Sequence, residues 1–156
     1  MSRTSRREFL KSAGAVTLAL PAVSLVSPSA RATPDTMKAA IDKVVGNAKV
    51  TKGKIAIDIP PLVENGNVVP VTITVDSPMT KDNYVKALHL FNEKNPQPNV
   101  IGVAFGPRAG KAAISTRIRL ADAQKVVALA EMSDGAFYTE SADVIVTLAA
   151  CVEATL

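Results

Sequence analysis

The hydrophobic pattern changes period at Gly46. Before it, Met37, Ile41, Val44 and Val45 recur at helical spacing. Thr33 stands where a cap belongs, Pro34 at the first helical position and Asp35 in the positive first turn, with Gly46 as the stop. The pattern predicts one short amphipathic helix. After Gly46 the period falls to two and β-branched residues accumulate. Lys54-Ile55-Ala56-Ile57-Asp58-Ile59 alternates and halts at Pro60-Pro61, and Glu64-Asn65-Gly66-Asn67 reads as a turn. Val69, Val71, Ile73 and Val75 then form one apolar face against Pro70, Thr72, Thr74 and Asp76. Further strands are expected over 84–91, 100–105, 113–120, 125–131 and 143–149, with turn signals at Asn95-Pro96, Gly106-Pro107, Asp122 and Asp134-Gly135 between them. Apart from a possible short turn over 120–124, nothing helical separates them. The fold class is therefore all-β, an antiparallel two-sheet sandwich of about seven short strands with a short N-terminal helix.

The residues before the helix follow a different logic. Ser5-Arg6-Arg7-Glu8-Phe9-Leu10-Lys11 is a twin-arginine signature. It is followed by an apolar stretch over 13–26, interrupted by Gly14, Thr17, Pro21 and Ser24, and by the small-x-small pattern Ala30-Arg31-Ala32. The stretch is shorter and more broken than the roughly 20 apolar residues a membrane span needs. Residues 1–32 are thus expected to be a cleaved export signal, cut after Ala32, with the bacterial periplasm as destination and no membrane anchor.

That signal reverses the meaning of the charge. The 156 residues hold 18 Lys+Arg and 14 Asp+Glu, a net charge of +4. Five of the basic residues and one acid lie in 1–32, which leaves 13 of each sign over the remaining 124 positions. A neutral chain without clustered Lys or Arg offers no electrostatic case for nucleic acid or anionic lipid. With no Trp, two Tyr and four Phe, the core must be built from Val, Ile, Leu and Ala. One Cys and one His leave no intramolecular disulfide and no Cys/His zinc site, so no metal and no cofactor are expected.

Candidate chemistry is sparse. Gly106-Pro107-Arg108-Ala109-Gly110-Lys111 has the look of a phosphate loop, but it is one residue short between its glycines and has Ala112 where Ser or Thr would bind magnesium; a hairpin connection is the better reading. His89 falls on the outer phase of a strand, with no second His or Cys nearby, and reads as a solvated or hydrogen-bonded strand histidine. Arg117 and Arg119 project to one side of a strand. They could grip an anion, although a solvated face with cross-strand carboxylates reads better. No catalytic residues emerge. Cys151 is the exception. As the lone cysteine of an exported chain it is either reactive or a small hydrophobe finishing the last strand, and the residues alone leave both open.

Three stretches carry a family likeness: Asn65-Gly66-Asn67-Val68-Val69-Pro70-Val71-Thr72-Ile73-Thr74-Val75-Asp76-Ser77-Pro78-Met79-Thr80, then Phe91-Asn92-Glu93-Lys94-Asn95-Pro96-Gln97-Pro98, then Ser115-Thr116-Arg117-Ile118-Arg119-Leu120-Ala121. Together with the twin-arginine signal and the near-terminal cysteine, they make the chain resemble the SoxY family, the cysteine-bearing subunit of the SoxYZ sulfur carrier in bacterial thiosulfate oxidation. The resemblance implies an immunoglobulin-like sandwich over 33–148, paired with a SoxZ-like subunit as a heterodimer, and a C-terminal cysteine arm over 149–156. It further implies that Cys151 binds a sulfur species covalently while enzymes resembling SoxAX, SoxB and SoxCD do the chemistry, so that the chain itself is a carrier and not an enzyme. The arm departs from the family. Where the family ends in Gly-Gly-Cys-Gly-Gly, Cys151 is flanked by Ala149 and Ala150 on one side and Val152 and Glu153 on the other, similar to a subgroup whose arm reads Ala-Ala-Cys-Ile-Glu. Each of these flanking residues has a Cβ that confines the backbone, so the arm is expected to be stiffer and bulkier than a glycine arm. Glu153 places a negative charge near the sulfur, which disfavours the thiolate and repels a dianion such as thiosulfate. A non-carrying binding or assembly module, with Cys151 structural, is the alternative.

Overall fold

A computed structural model describes residues 32–149. The helix forms where the pattern places it: α1 spans Pro34–Val45, with Thr33 as cap accepting from the Thr36 amide, Pro34 in the first turn, Asp35 at the positive end and Gly46 closing the C-terminus. Nine strands follow among the described residues: β1 Val50–Lys52, β2 Ile55–Asp58, β3 Leu62–Asn65, β4 Val69–Val75, β5 Val85–Asn92, β6 Asn99–Ala104, β7 Ala113–Ile118, β8 Gln124–Met132 and β9 Phe137–Leu148. They make two sheets. The larger runs β1-β9-β8-β5-β6, with β3 also on β9, and the smaller runs β2-β4-β7.

The core lies between the sheets and is built from the alternation seen in the sequence. Val69, Val71, Ile73 and Val75 of β4 are all at most 2% exposed. They meet Leu88 and Leu90 of β5, Val126, Ala128 and Ala130 of β8, and Val144 of β9. The outer face of the large sheet has its own apolar cluster, in which Phe91, Leu129 and Phe137 lie under Met37, Ile41, Val44 and Val45 of α1. The helix thus covers one end of a sheet face that would otherwise expose aromatic rings to water.

Four expectations need correction. The sheets hold nine strands instead of about seven, because β1 and β3 were not foreseen. β1 is three residues long and exposed throughout, so it has no buried alternation to betray it. β3 contains Glu64 and Asn65, which read as turn residues; the turn starts two positions later, at Gly66. Second, the sandwich is not wholly antiparallel: β1 and β3 both run parallel to β9. Third, the last strand begins at Phe137 and is 12 residues long. Its pairing with β8 ends at Val144, opposite Gln124, and β3 takes over the ladder from Ile145 to Leu148. Fourth, the 106–111 loop is not a hairpin. It joins β6 in the large sheet to β7 in the small one, with Gly110 at φ +73°.

Candidate functional site

The last described residues define where the candidate site attaches. Ala149, half-buried, follows the end of β9; Ala150, Cys151, Val152 and Glu153 lie outside the described residues. The end of β9 is held by backbone pairing. Leu62, Val63 and Asn65 of β3 are in register with Ile145, Val146 and Leu148. The Gly66 amide donates to the Leu148 carbonyl at 2.9 Å, and the Leu120 amide donates to the Gly66 carbonyl at 2.8 Å. Val63 is buried in the core, so β3 also anchors this end by packing. Leu62, Ile145 and Leu148 are 57%, 58% and 64% exposed.

Register places other loops at this same end. Gln124 opposes Val144 and Asn92 opposes Val126, so the β5–β6 and β7–β8 connections sit at the end where β9 leaves the sandwich. Asn95 joins the two loops: its Nδ2 donates to the Arg119 carbonyl at 2.8 Å, while its Oδ1 accepts from the Ala121 amide at 3.0 Å and from Gln124 Nε2 at 2.9 Å. Gln124 returns a bond, its Oε1 accepting from the Lys94 amide at 2.8 Å. Lys94 also pairs with Asp122 at 3.0 Å. The Asn95 carbonyl accepts from the Ala32 amide at 2.7 Å, which ties the start of α1 to the same hub. An asparagine that spends both ends of its amide on one loop fixes that loop's conformation. In the sequence Asn95-Pro96 reads only as a turn, and Gln124 has no evident role. The one signal available was the repeated proline, which leaves a loop with fewer backbone donors and more need of side-chain ties.

The other singled-out residues are placed as follows. His89 lies on the outer face of β5, opposite Gly102 and Leu129 and near Phe91, with ring centroids 6.1 Å apart. The residue is partly exposed, and its Nδ1 is buried without a hydrogen-bond partner among the described residues. Burial pushes the imidazole below its ordinary pKa, partly offset by the charge of Glu131. A Cβ on Gly102 would stand 3.1 Å from that Nδ1, so the glycine is what lets the ring lie flat against β6. Arg117 and Arg119 are both exposed, but the cross-strand carboxylates expected for them are absent among the described residues. Arg117 faces Pro70, and Arg119 lies past the end of β7. Among the described residues no group of three or more His, Cys, Asp or Glu is placed to hold a metal ion.

Comparison with known proteins places this architecture. The family model described as sulfur oxidation protein SoxY matches residues 41–151. The chain belongs to the SoxY family. The match begins within α1 and ends on Cys151 itself. Among solved structures, the SoxY sulfur carrier protein from Chlorobium limicola f thiosulfatophilum is similar at 27% identity and a TM-score of 0.62, over 73% of this chain and 98% of that one. A superoxide reductase (neelaredoxin) from Ignicoccus hospitalis shares the fold at 17% identity and a TM-score of 0.54, over 74% of this chain and 94% of that one. Comparison with curated proteins gave no match. The SoxY sandwich therefore has the immunoglobulin-like form that the resemblance implied. Its parallel β1 and β3 are additions along one strand, β9, and leave the two-layer core unchanged.

Proposed function

We propose that this SoxY protein is a sulfur carrier: it holds a sulfur species covalently on the thiol of Cys151 and presents it to separate enzymes. The observation that carries the reading is that the family match, which takes in the whole sandwich, has Cys151 as its last residue. The similar Chlorobium protein, described as a sulfur carrier, supports it. The chemistry asks little of the sandwich. Joining the thiolate to thiosulfate forms one S–S bond, R–S⁻ + S₂O₃²⁻ → R–S–S–SO₃⁻ + 2 e⁻, with the sulfane sulfur as the bridge, and the two electrons pass to an oxidant that the family resemblance assigns to a haem enzyme like SoxAX. Hydrolysis of the terminal sulfonate as sulfate, and oxidation of the sulfane left behind, fall to enzymes like SoxB and SoxCD. The carrier supplies a nucleophilic sulfur, a tether and a rigid body from which the tether extends.

The division of the chain follows from that role. Residues 1–32 direct export by the twin-arginine route to the periplasm, 33–148 form the body, and 149–156 form the arm, with Ala149, Ala150, Val152 and Glu153 setting its stiffness and charge. A SoxZ-like subunit is the partner of the body. Replacing Cys151 with Ser tests the reading. The variant should fold as before and lose sulfur-compound oxidation in the host; retention of full oxidation would assign the chain to a non-carrying role, with Cys151 structural.

A further inference from the structure

Beside the Asn95 hub lies an open groove of about 370 Å³, lined by Asn95, Pro96, Gln97, Asn99, Val100 and Arg119. Its chemistry is one-sided: one guanidinium, three carboxamides and no carboxylate. The Arg119, Gln97 and Asn99 side chains make no hydrogen bond or ion pair among the described residues. Asn95 has spent its amide on the loops, and by holding the Arg119 carbonyl it fixes the backbone from which the guanidinium extends. Planar guanidinium and amide N–H donors around a concavity without competing acid are a match for a tetrahedral oxoanion.

The groove is also close to the arm. Leu148 bonds to Gly66 and Gly66 bonds to Leu120, the neighbour of Arg119. Two hydrogen bonds and the width of one residue put the Leu148 carbonyl within about 10 Å of the Leu120 nitrogen. An extended chain gains about 3.3–3.6 Å per residue, and Cys151 is only two residues beyond Ala149. Two extended residues beyond Ala149 gain about 7 Å, of the same order as the distance from the Leu148 carbonyl to the Leu120 nitrogen.

We propose that Arg119, Gln97 and Asn99 form an oxoanion site that binds sulfate-like groups, either as a free anion or as the terminal sulfonate of an adduct on Cys151. The second source rests on the carrier reading; the first does not. Bound to the groove, the sulfonate would be held against the body between encounters with enzymes, with its charge neutralised by Arg119.

The test is an amide and side-chain NMR titration of the full mature protein with sodium sulfate and sodium thiosulfate, against sodium chloride at equal ionic strength. The Gln97, Asn99 and Arg119 side-chain signals should move with the oxoanions and not with chloride. Arg119→Gln should weaken binding about tenfold or more, and Arg117→Gln, outside the groove, should leave it unchanged. In a second arm, the same signals are compared in the free thiol and in the protein S-sulfonated at Cys151 by sulfite cleavage of its disulfide-linked dimer. Movement in this arm alone assigns the site to the arm's own cargo, and movement with free anion in Cys151→Ser assigns it to anion from solution. Signals that stay put in both arms, or shifts that survive Arg119→Gln, overturn the site. Failure of the carrier reading would show separately, as absence of any adduct on Cys151 in protein taken from cells.

Discussion

At the scale of single residues, the buried polar atoms are the places where stability can be moved. Neither amide atom of Asn92 has a partner among the described residues, although the residue is fully buried. Burying an unpaired amide costs about 1–3 kcal/mol. Asn92→Val, which suits a strand and removes the unpaired atoms, should raise the midpoint of thermal unfolding; a fall of several degrees would show that the amide is bonded after all. His89 makes a pH-dependent contribution with a definite sign. Its folded-state pKa is lowered, by burial first, so the unfolded chain takes up a proton at a pH where the folded protein does not. Stability is therefore full above the ordinary histidine range near pH 6.5 and declines as pH falls through it. Denaturant unfolding at several pH values between 7 and 5 should show this decline, and His89→Leu should flatten it. An equal slope in the variant would place the effect on other groups. Histidine's position in the outer phase was legible from the alternation of β5. Its unpaired nitrogen was not, because that depends on Gly102 in a strand that only folding brings alongside.

At the scale of elements, local signals were read well and long-range pairing was not. α1 was legible to the residue because its cap, proline, acidic first turn and glycine stop are all written within a dozen positions. β4 and β7 were legible because each has one face in the core. β1 and β3 were missed because what makes them strands is a partner almost 90 residues away in β9, and neither has an alternation of its own. The β8–β9 turn is a case where sequence and structure agree. Asp134-Gly135 was read as a turn, and Gly135 sits at φ +83° with its amide donating to the Met132 carbonyl. Gly135→Ala should lower stability by about 1 kcal/mol, since a Cβ at positive φ is strained, with little change in spectroscopic content. No loss of stability would mean that the turn adapts by changing type. This turn starts β9, so its geometry is part of what sets the direction of that strand.

At the scale of the whole molecule, the described residues form one sandwich with β9 ending at one edge of it. The two-sheet core and the Asn95 hub hold one end of the sandwich fixed, and β9 leaves from that end with β3 beside it. The candidate site itself is legible in one respect only: a single cysteine, at position 151 of 156. The loops near the last described residues are not legible there, because Leu120 and the β5–β6 loop are distant in sequence from the end of β9, and Leu120 is tied to Leu148 through Gly66. The departure from a glycine arm adds a further expectation. Replacing Ala149, Ala150, Val152 and Glu153 together by glycine should speed transfer to enzymes that accept glycine-armed carriers, measured as the rate of thiosulfate conjugation; an unchanged rate would show that arm stiffness does not limit the reaction.

Whether Cys151 carries sulfur is read most directly from intact mass. Protein taken from the periplasm of cells growing on a reduced sulfur compound would be weighed before and after thiol reductant, and the modified peptide mapped. A carrier role predicts a reductant-labile adduct on Cys151, whose mass identifies the cargo. An unmodified chain from cells in which the pathway is active would contradict it.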